Sequence, residues 1–162
     1  MGTATAVLLL ATALLGYATG LRSMTPLAVV CWFAYLGELP VGGTWAGWTA
    51  RLVVAIGFTV LALGEYVADK LPNTPNRTAP VGLGARVVLG GLGGAVLAAA
   101  LQGSVVEGVL LGAVMAVAGT FAGFLLRRAI VEKLGCPDWP IAVVEDLVTV
   151  LIATFALHIV TG

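Results

Sequence analysis

The side chains of this sequence that could do chemistry fall into three groups. Glu65 and Asp69 are four residues apart and so share one face of a helix. Two carboxylates stacked in this way repel each other unless a cation, a proton or a basic side chain lies between them. The pair is therefore a candidate cation or proton site, or a metal site bridging to a phosphate; the structural alternative is a helix end ion-paired with Lys70, Arg77 or Arg86. Glu145 and Asp146 form the second group, about one and a half turns into IAVVEDLVTV. A helix N-terminus stabilises an acid by only about 0.3–1 kcal/mol, whereas Asp in mid-membrane costs about 3 kcal/mol, so at least one of the two should face the protein interior. The third group is basic: Arg22 in GLRSMTP, Arg77 in NTPNRTAP and Arg86 in VGLGARVVLGG. A guanidinium in such apolar surroundings must snorkel, pair with a carboxylate or hold an anion.

The elements that must position these groups are membrane helices. Of the 162 residues, 60% are hydrophobic and 10% charged, against about 25% charged in a soluble domain. Net charge is zero, which gives no electrostatic reason for a nucleic-acid partner. Spanning roughly 30 Å of hydrocarbon takes about 20 apolar residues, and residues 4–21, 50–68, 82–102, 106–126 and 141–160 meet that need. A shorter apolar stretch covers 26–39, with Thr25 as a cap before a first-turn Pro26. The amino-terminal run lacks a basic flank and a cleavage site and reads as a retained helix.

These segments predict an all-α fold: residues 1–162 as one polytopic transmembrane helical bundle of about six spans in three hairpins, in a bacterial-type inner (plasma) membrane. The alternative has five spans and a re-entrant half-helix at 26–39. With six spans, Arg22, Lys70, Arg77, Arg86, Arg127, Arg128 and Lys133 share one side and only Arg51 lies on the other, so the basic-residue bias puts both termini outside. Loops 69–81 and 127–140 are then cytoplasmic. A short echo between ADKLPNTP and VEKLGCPDWP fits a hairpin-built architecture.

Helices starting near Pro26, Pro80 and Pro140 would aim their N-termini at the arginine side, which is the physical recipe for an anion or phosphate site. The candidate binding set is Arg22, Ser23, Thr25, Glu65, Asp69, Lys70, Asn73, Arg77, Arg86, Glu145 and Asp146. The expected ligand is an anionic small molecule or a lipid head group, and a cation held by Glu65, Asp69, Glu145 and Asp146 is the candidate cofactor. Gly16/Gly20, Gly90/Gly94, Gly108/Gly112 and Gly119/Gly123 are in GxxxG register, the mark of close helix contacts within or between chains, and they make a homo-oligomer an expected partner beside the lipid bilayer. Trp45, Trp48 and Trp139 read as interfacial anchors, and His158 as a solvated interfacial residue. Cys31 and Cys136 give neither a disulfide framework nor zinc spacing. No familiar catalytic motif is present, so no catalytic residue is assigned. Three functions remain open: translocation of a small anionic or phosphate-bearing solute or head group, an intramembrane metal-dependent enzyme on a lipid phosphate, and a non-catalytic scaffold.

TGLRSMTPLAVV, LGEYVADKLPNTPNRTAP and GARVVLGGLGGAV together resemble the bacterial integral membrane family filed as domain-of-unknown-function family 4126, over roughly residues 10–155. The most specific part is Glu65, Asp69, Lys70, Leu71 and Pro72. The sequence departs from the family pattern after that proline, where NTPNRTAP replaces a stretch with a further acidic residue. The resemblance implies a membrane location and no activity.

Overall fold

The structure is a computed structural model that describes residues 2–69 and 78–162. Every described regular element is a helix: α1 (Thr3–Leu21), α2 (Thr25–Tyr35), a 3-10 turn (Trp45–Ala50), α3 (Leu52–Ala68), α4 (Pro80–Ala100), α5 (Val105–Leu134) and α6 (Asp138–Thr161). Among the described residues, α1, α4, α5 and α6 are long and apolar enough to cross a membrane, while α2 and α3 are shorter apolar helices. The helices run alternately up and down, so that α1, α3 and α5 end, and α2, α4 and α6 begin, at one end of the bundle. Contacts among Arg22, Asp69, Arg127 and Asp146 fix this for α1, α3, α5 and α6, and those of Glu65 with Ser23, Met24 and Arg86 fix it for α2 and α4.

Helix α1 packs against α2, α4, α5 and α6, whereas α3 packs on α2 and the 3-10 turn. Ala11, Leu15, Val30, Leu39, Val96 and Leu157 are among the core residues that fill the opposite half of the bundle. The α1, α4 and α5 backbones approach through glycines. A Cβ on Gly94 would stand 2.0 Å from the Gly108 carbonyl oxygen, one on Gly112 2.2 Å from that of Gly90, and one on Gly119 2.1 Å from that of Tyr17. The GxxxG register is thus used within one chain.

Three boundaries differ from the sequence reading. The 26–39 stretch is helical only to Tyr35. Gly37, at φ +81, closes the helix in a Schellman motif, with Gly37 N donating to Ala34 O at 3.2 Å and Glu38 N to Phe33 O at 3.0 Å. Residues 36–44 and the 3-10 turn follow the short helix and bury Leu39, Val41 and Ala46. The second correction is at 127–140, where α5 continues to Leu134 because Arg127 to Lys133 contains good helix formers and an Arg128–Glu132 pair at 2.7 Å. Gly135, left-handed at φ 61, stops it, so only residues 135–137 connect α5 to α6. Thirdly, Thr25 is not a cap but lies inside α2, whose N-cap position is Met24 with no cap from its own side chain.

Candidate functional site

The end of the bundle where α1 breaks into α2 carries a charged cluster centred on Arg22. Arg22 follows the last residue of α1, and its side chain has no solvent exposure. Its Nε donates to Asp146 Oδ1, and its Nη2 donates to Asp69 Oδ2 at 2.9 Å and lies 3.6 Å from Glu145 Oε2. Nη1 is buried with no hydrogen-bond partner among the described residues. One arginine therefore ties the end of α1 to the end of α3 and the beginning of α6.

Glu65 does what no side chain of α2 does for itself: it caps α2 from another helix. Its Oε1 accepts from Ser23 N at 2.9 Å and Ser23 Oγ at 2.8 Å, and its Oε2 accepts from Met24 N at 3.0 Å. Met24 N is at the N-cap position of α2 and Ser23 N one residue before it, and the donors of a helix start carry partial positive charge. Arg86 Nη2 reaches Glu65 Oε1 at 3.4 Å, and its Nη1 donates to Gly82 O at 3.1 Å. The Thr25 hydroxyl is bonded to that of Tyr66 at 2.7 Å, a second tether between α2 and α3.

Arg127 completes the network. Its Nη1 donates to Asp69 Oδ2 at 2.6 Å and Glu145 Oε2 at 3.4 Å, and its Nε to Asp138 Oδ1 at 2.7 Å. Burial pushes the Asp69 carboxyl up, but hydrogen bonds and charge from Arg22 and then Arg127 overcome this and hold it at about 2. The described cluster thus sets Arg22, Arg86 and Arg127 against Glu65, Asp69, Asp138, Glu145 and Asp146, an excess of acid over base.

Of the residues singled out in the sequence, Arg22, Ser23, Thr25, Glu65, Asp69, Arg86, Glu145 and Asp146 come together here. Lys70, Asn73 and Arg77 lie outside the described residues. The cation site on Glu65, Asp69, Glu145 and Asp146 is not formed: among the described residues no group of three or more potential ligands is placed to hold a metal. The physical reason is that Glu65 faces backbone N–H groups and Arg86, while Asp69, Glu145 and Asp146 are interleaved with guanidinium groups. Sequence reasoning passed over Arg127, Asp138 and Tyr66. Arg127 carried a usable signal, since it lies one turn beyond Gly123 on the glycine-bearing side of α5.

Geometry and composition define the class: an all-helical, membrane-embedded bundle with a charged network at one end. The chain belongs to the family described as a domain of unknown function (DUF4126), whose sequence pattern matches residues 9–160. Comparison with the curated proteins and with the solved structures found no match.

Proposed function

We propose that this protein crosses the bilayer six times with both termini outside, and that its charged end, on the cytoplasmic side, recognises and translocates a small anionic or phosphate-bearing solute or lipid head group. One observation carries the reading: the Glu65 carboxylate occupies a cradle of Ser23 N, Ser23 Oγ, Met24 N and Arg86, donors of the kind that bind phosphate at helix starts. Glu65 is then an internal anion that an external one displaces, and a proton moving onto it would release the cradle. Asp69, Glu145 and Asp146 hold the Arg22 and Arg127 guanidinium groups in place beside that cradle. Six crossings are supported by the alternation of helix ends and by the basic residues gathered at one of them.

Thermal unfolding of the purified protein in the presence of inorganic phosphate, or in nanodiscs with and without phosphatidic acid, separates a soluble ligand from a lipid. Glu65→Gln should strengthen the stabilisation by removing the internal competitor, and Arg86→Leu should abolish it. No shift with either ligand, in the native protein and in Glu65→Gln alike, sinks the proposal. Thiol labelling of cysteines placed at residues 2 and 162 tests the topology, and an inward-facing N-terminus overturns it.

The scaffold reading has its own support, because the carboxylates of the cluster have arginine partners within the chain. It expects paired neutralisation, such as Glu65→Gln with Arg86→Gln, to leave every cellular phenotype unchanged.

A further inference from the structure

The opposite end of the bundle holds a cavity of about 570 Å³, within the roughly 300–1,000 Å³ of small-molecule sites. It opens where the start of α1, the α4–α5 turn and the end of α6 meet, and it shares no residue with the charged cluster. Its walls are apolar, with Leu8, Leu9, Leu101, Ile159 and Val160 among them, and its rim carries Gln102, Ser104 and Glu107.

Three further observations mark it as a built site. Thr12 lines it at 1% exposure, and its hydroxyl has no hydrogen-bond partner among the described residues. Helical threonines usually return that hydroxyl to the preceding turn, as Thr19 does here to Leu15 O at 2.9 Å. A buried hydroxyl without a partner is costly, and a ligand polar atom in the cavity would offset that cost. Gln102 at the rim is the only described non-glycine residue with positive φ, at 54. It sits at the left-handed position of a turn closed by Gly103 N to Ala98 O at 2.8 Å, where glycine is the less strained choice. Keeping a glutamine there retains a polar side chain at the mouth at a conformational cost, which is how strain at binding sites arises. Finally, Glu107 is the one ionisable side chain on the lining.

We infer that this cavity binds an amphiphile with an apolar body and a cationic, amine-type head, the body lying among the apolar walls and the head donating to Glu107, Gln102 and the Thr12 hydroxyl. The carboxylate selects the sign of the head, and the apolar walls select the body. The site is independent of the anion reading above, so either can fail alone.

Photoreactive decylamine, decanol and decyl sulfate probes of equal length, added to the full-length protein in a non-ionic maltoside, test it. Adducts are mapped by mass spectrometry. Labelling at residues 8–12, 98–103 and 159–160 should favour the amine over the sulfate by about tenfold, the factor given by a modest charge interaction. Glu107→Gln, an exposed substitution that leaves packing untouched, should keep labelling in the cavity and reduce that preference to near unity. Val160→Trp, which fills the cavity, should remove labelling by all three probes. Equal labelling by all three in the native protein, or adducts concentrated on outward-facing residues such as Leu110, Val114 and Leu151, overturns the assignment.

Discussion

Two regions of this molecule solve one problem in different ways. Between helices in lipid there is no hydrophobic driving force, because the acyl chains are as apolar as the side chains, so association must come from close van der Waals contact or from polar bonds. Helices α1, α4 and α5 use the first route, with backbones meeting at Gly20, Gly94, Gly108, Gly112 and Gly119. Helix α3 uses the second. Of its residues only Ala55 and Ala62 are buried, yet it is fastened to α2 through Glu65 with Ser23 and Met24, Tyr66 with Thr25, and Thr59 with Trp32 at 2.9 Å. A helix held this way needs few packed faces, but every tether matters. The two regions meet at Arg22, which ends a glycine-packed helix and bonds to the end of the tethered one.

The largest expected effect comes from removing that meeting point. Arg22→Met leaves Asp69 and Asp146 without their shared guanidinium, and breaking a buried pair from one side costs about 3–5 kcal/mol. Arg22→Lys should not restore stability, since an ammonium cannot reproduce the forked bonding to Asp146 and Asp69. Unfolding titrations in mixed micelles measure both. A loss below about 1 kcal/mol, the worth of an exposed pair, would mean that the cluster is a solvated surface network.

Next in size is the glycine region alone. Gly94→Ala or Gly112→Ala drives a methyl into a carbonyl oxygen of the facing helix, and overpacking of this kind costs about 1–3 kcal/mol. The same titrations read it, and a neutral result for both would show that α4 and α5 separate freely.

Much of this was legible in the sequence, and the exceptions have physical causes. Glycine pairs at four-residue spacing, and charges at the ends of apolar runs, leave lipid-adverse groups only one place to go. Eight of the candidate binding residues lie together at one end of the bundle, namely Arg22, Ser23, Thr25, Glu65, Asp69, Arg86, Glu145 and Asp146. Charge type and depth do not reveal pairing, however. The acids read as a cation site because four carboxylates look alike whether arginines or a metal lie between them, and the sequence places Arg127 in a loop because a charged stretch after an apolar run looks the same whether it is a loop or a continuing helix. The end of α2 is hidden in the sequence for a different reason, since the apolar pattern continues through Leu36 and only the left-handed Gly37 ends the helix.

The tethered region is sharpened by pH. Asp69 is held at about 2 against an ordinary 3.8. Its folded-state value is lowered, so the stability it contributes is whole above 3.8 and is lost as pH falls through about 2. The stability difference between the native protein and Asp69→Asn should be constant from neutral pH to about 4 and shrink below that. A difference that already vanishes near pH 5 would mean that Arg22 and Arg127 do not hold this carboxylate.

The smallest effect tests the contrast itself. Gly57 and Gly64 lie on α3 with nothing within 4 Å of where a Cβ would stand, unlike the glycines of α4 and α5. Gly57→Ala and Gly64→Ala should therefore meet no neighbour, and the gain in helix propensity, up to about 1 kcal/mol each, should make them neutral or slightly stabilising. Unfolding titrations of these variants beside Gly94→Ala form a matched set: one substitution, on helices held by different means. If Gly57→Ala proved as damaging as Gly94→Ala, the outer face of α3 would have to be packed against something beyond this chain. A fall in mass in the same detergent would identify a second copy as that neighbour, and self-association would then rest on α3 rather than on the GxxxG glycines of α1, α4 and α5, whose backbones already meet one another.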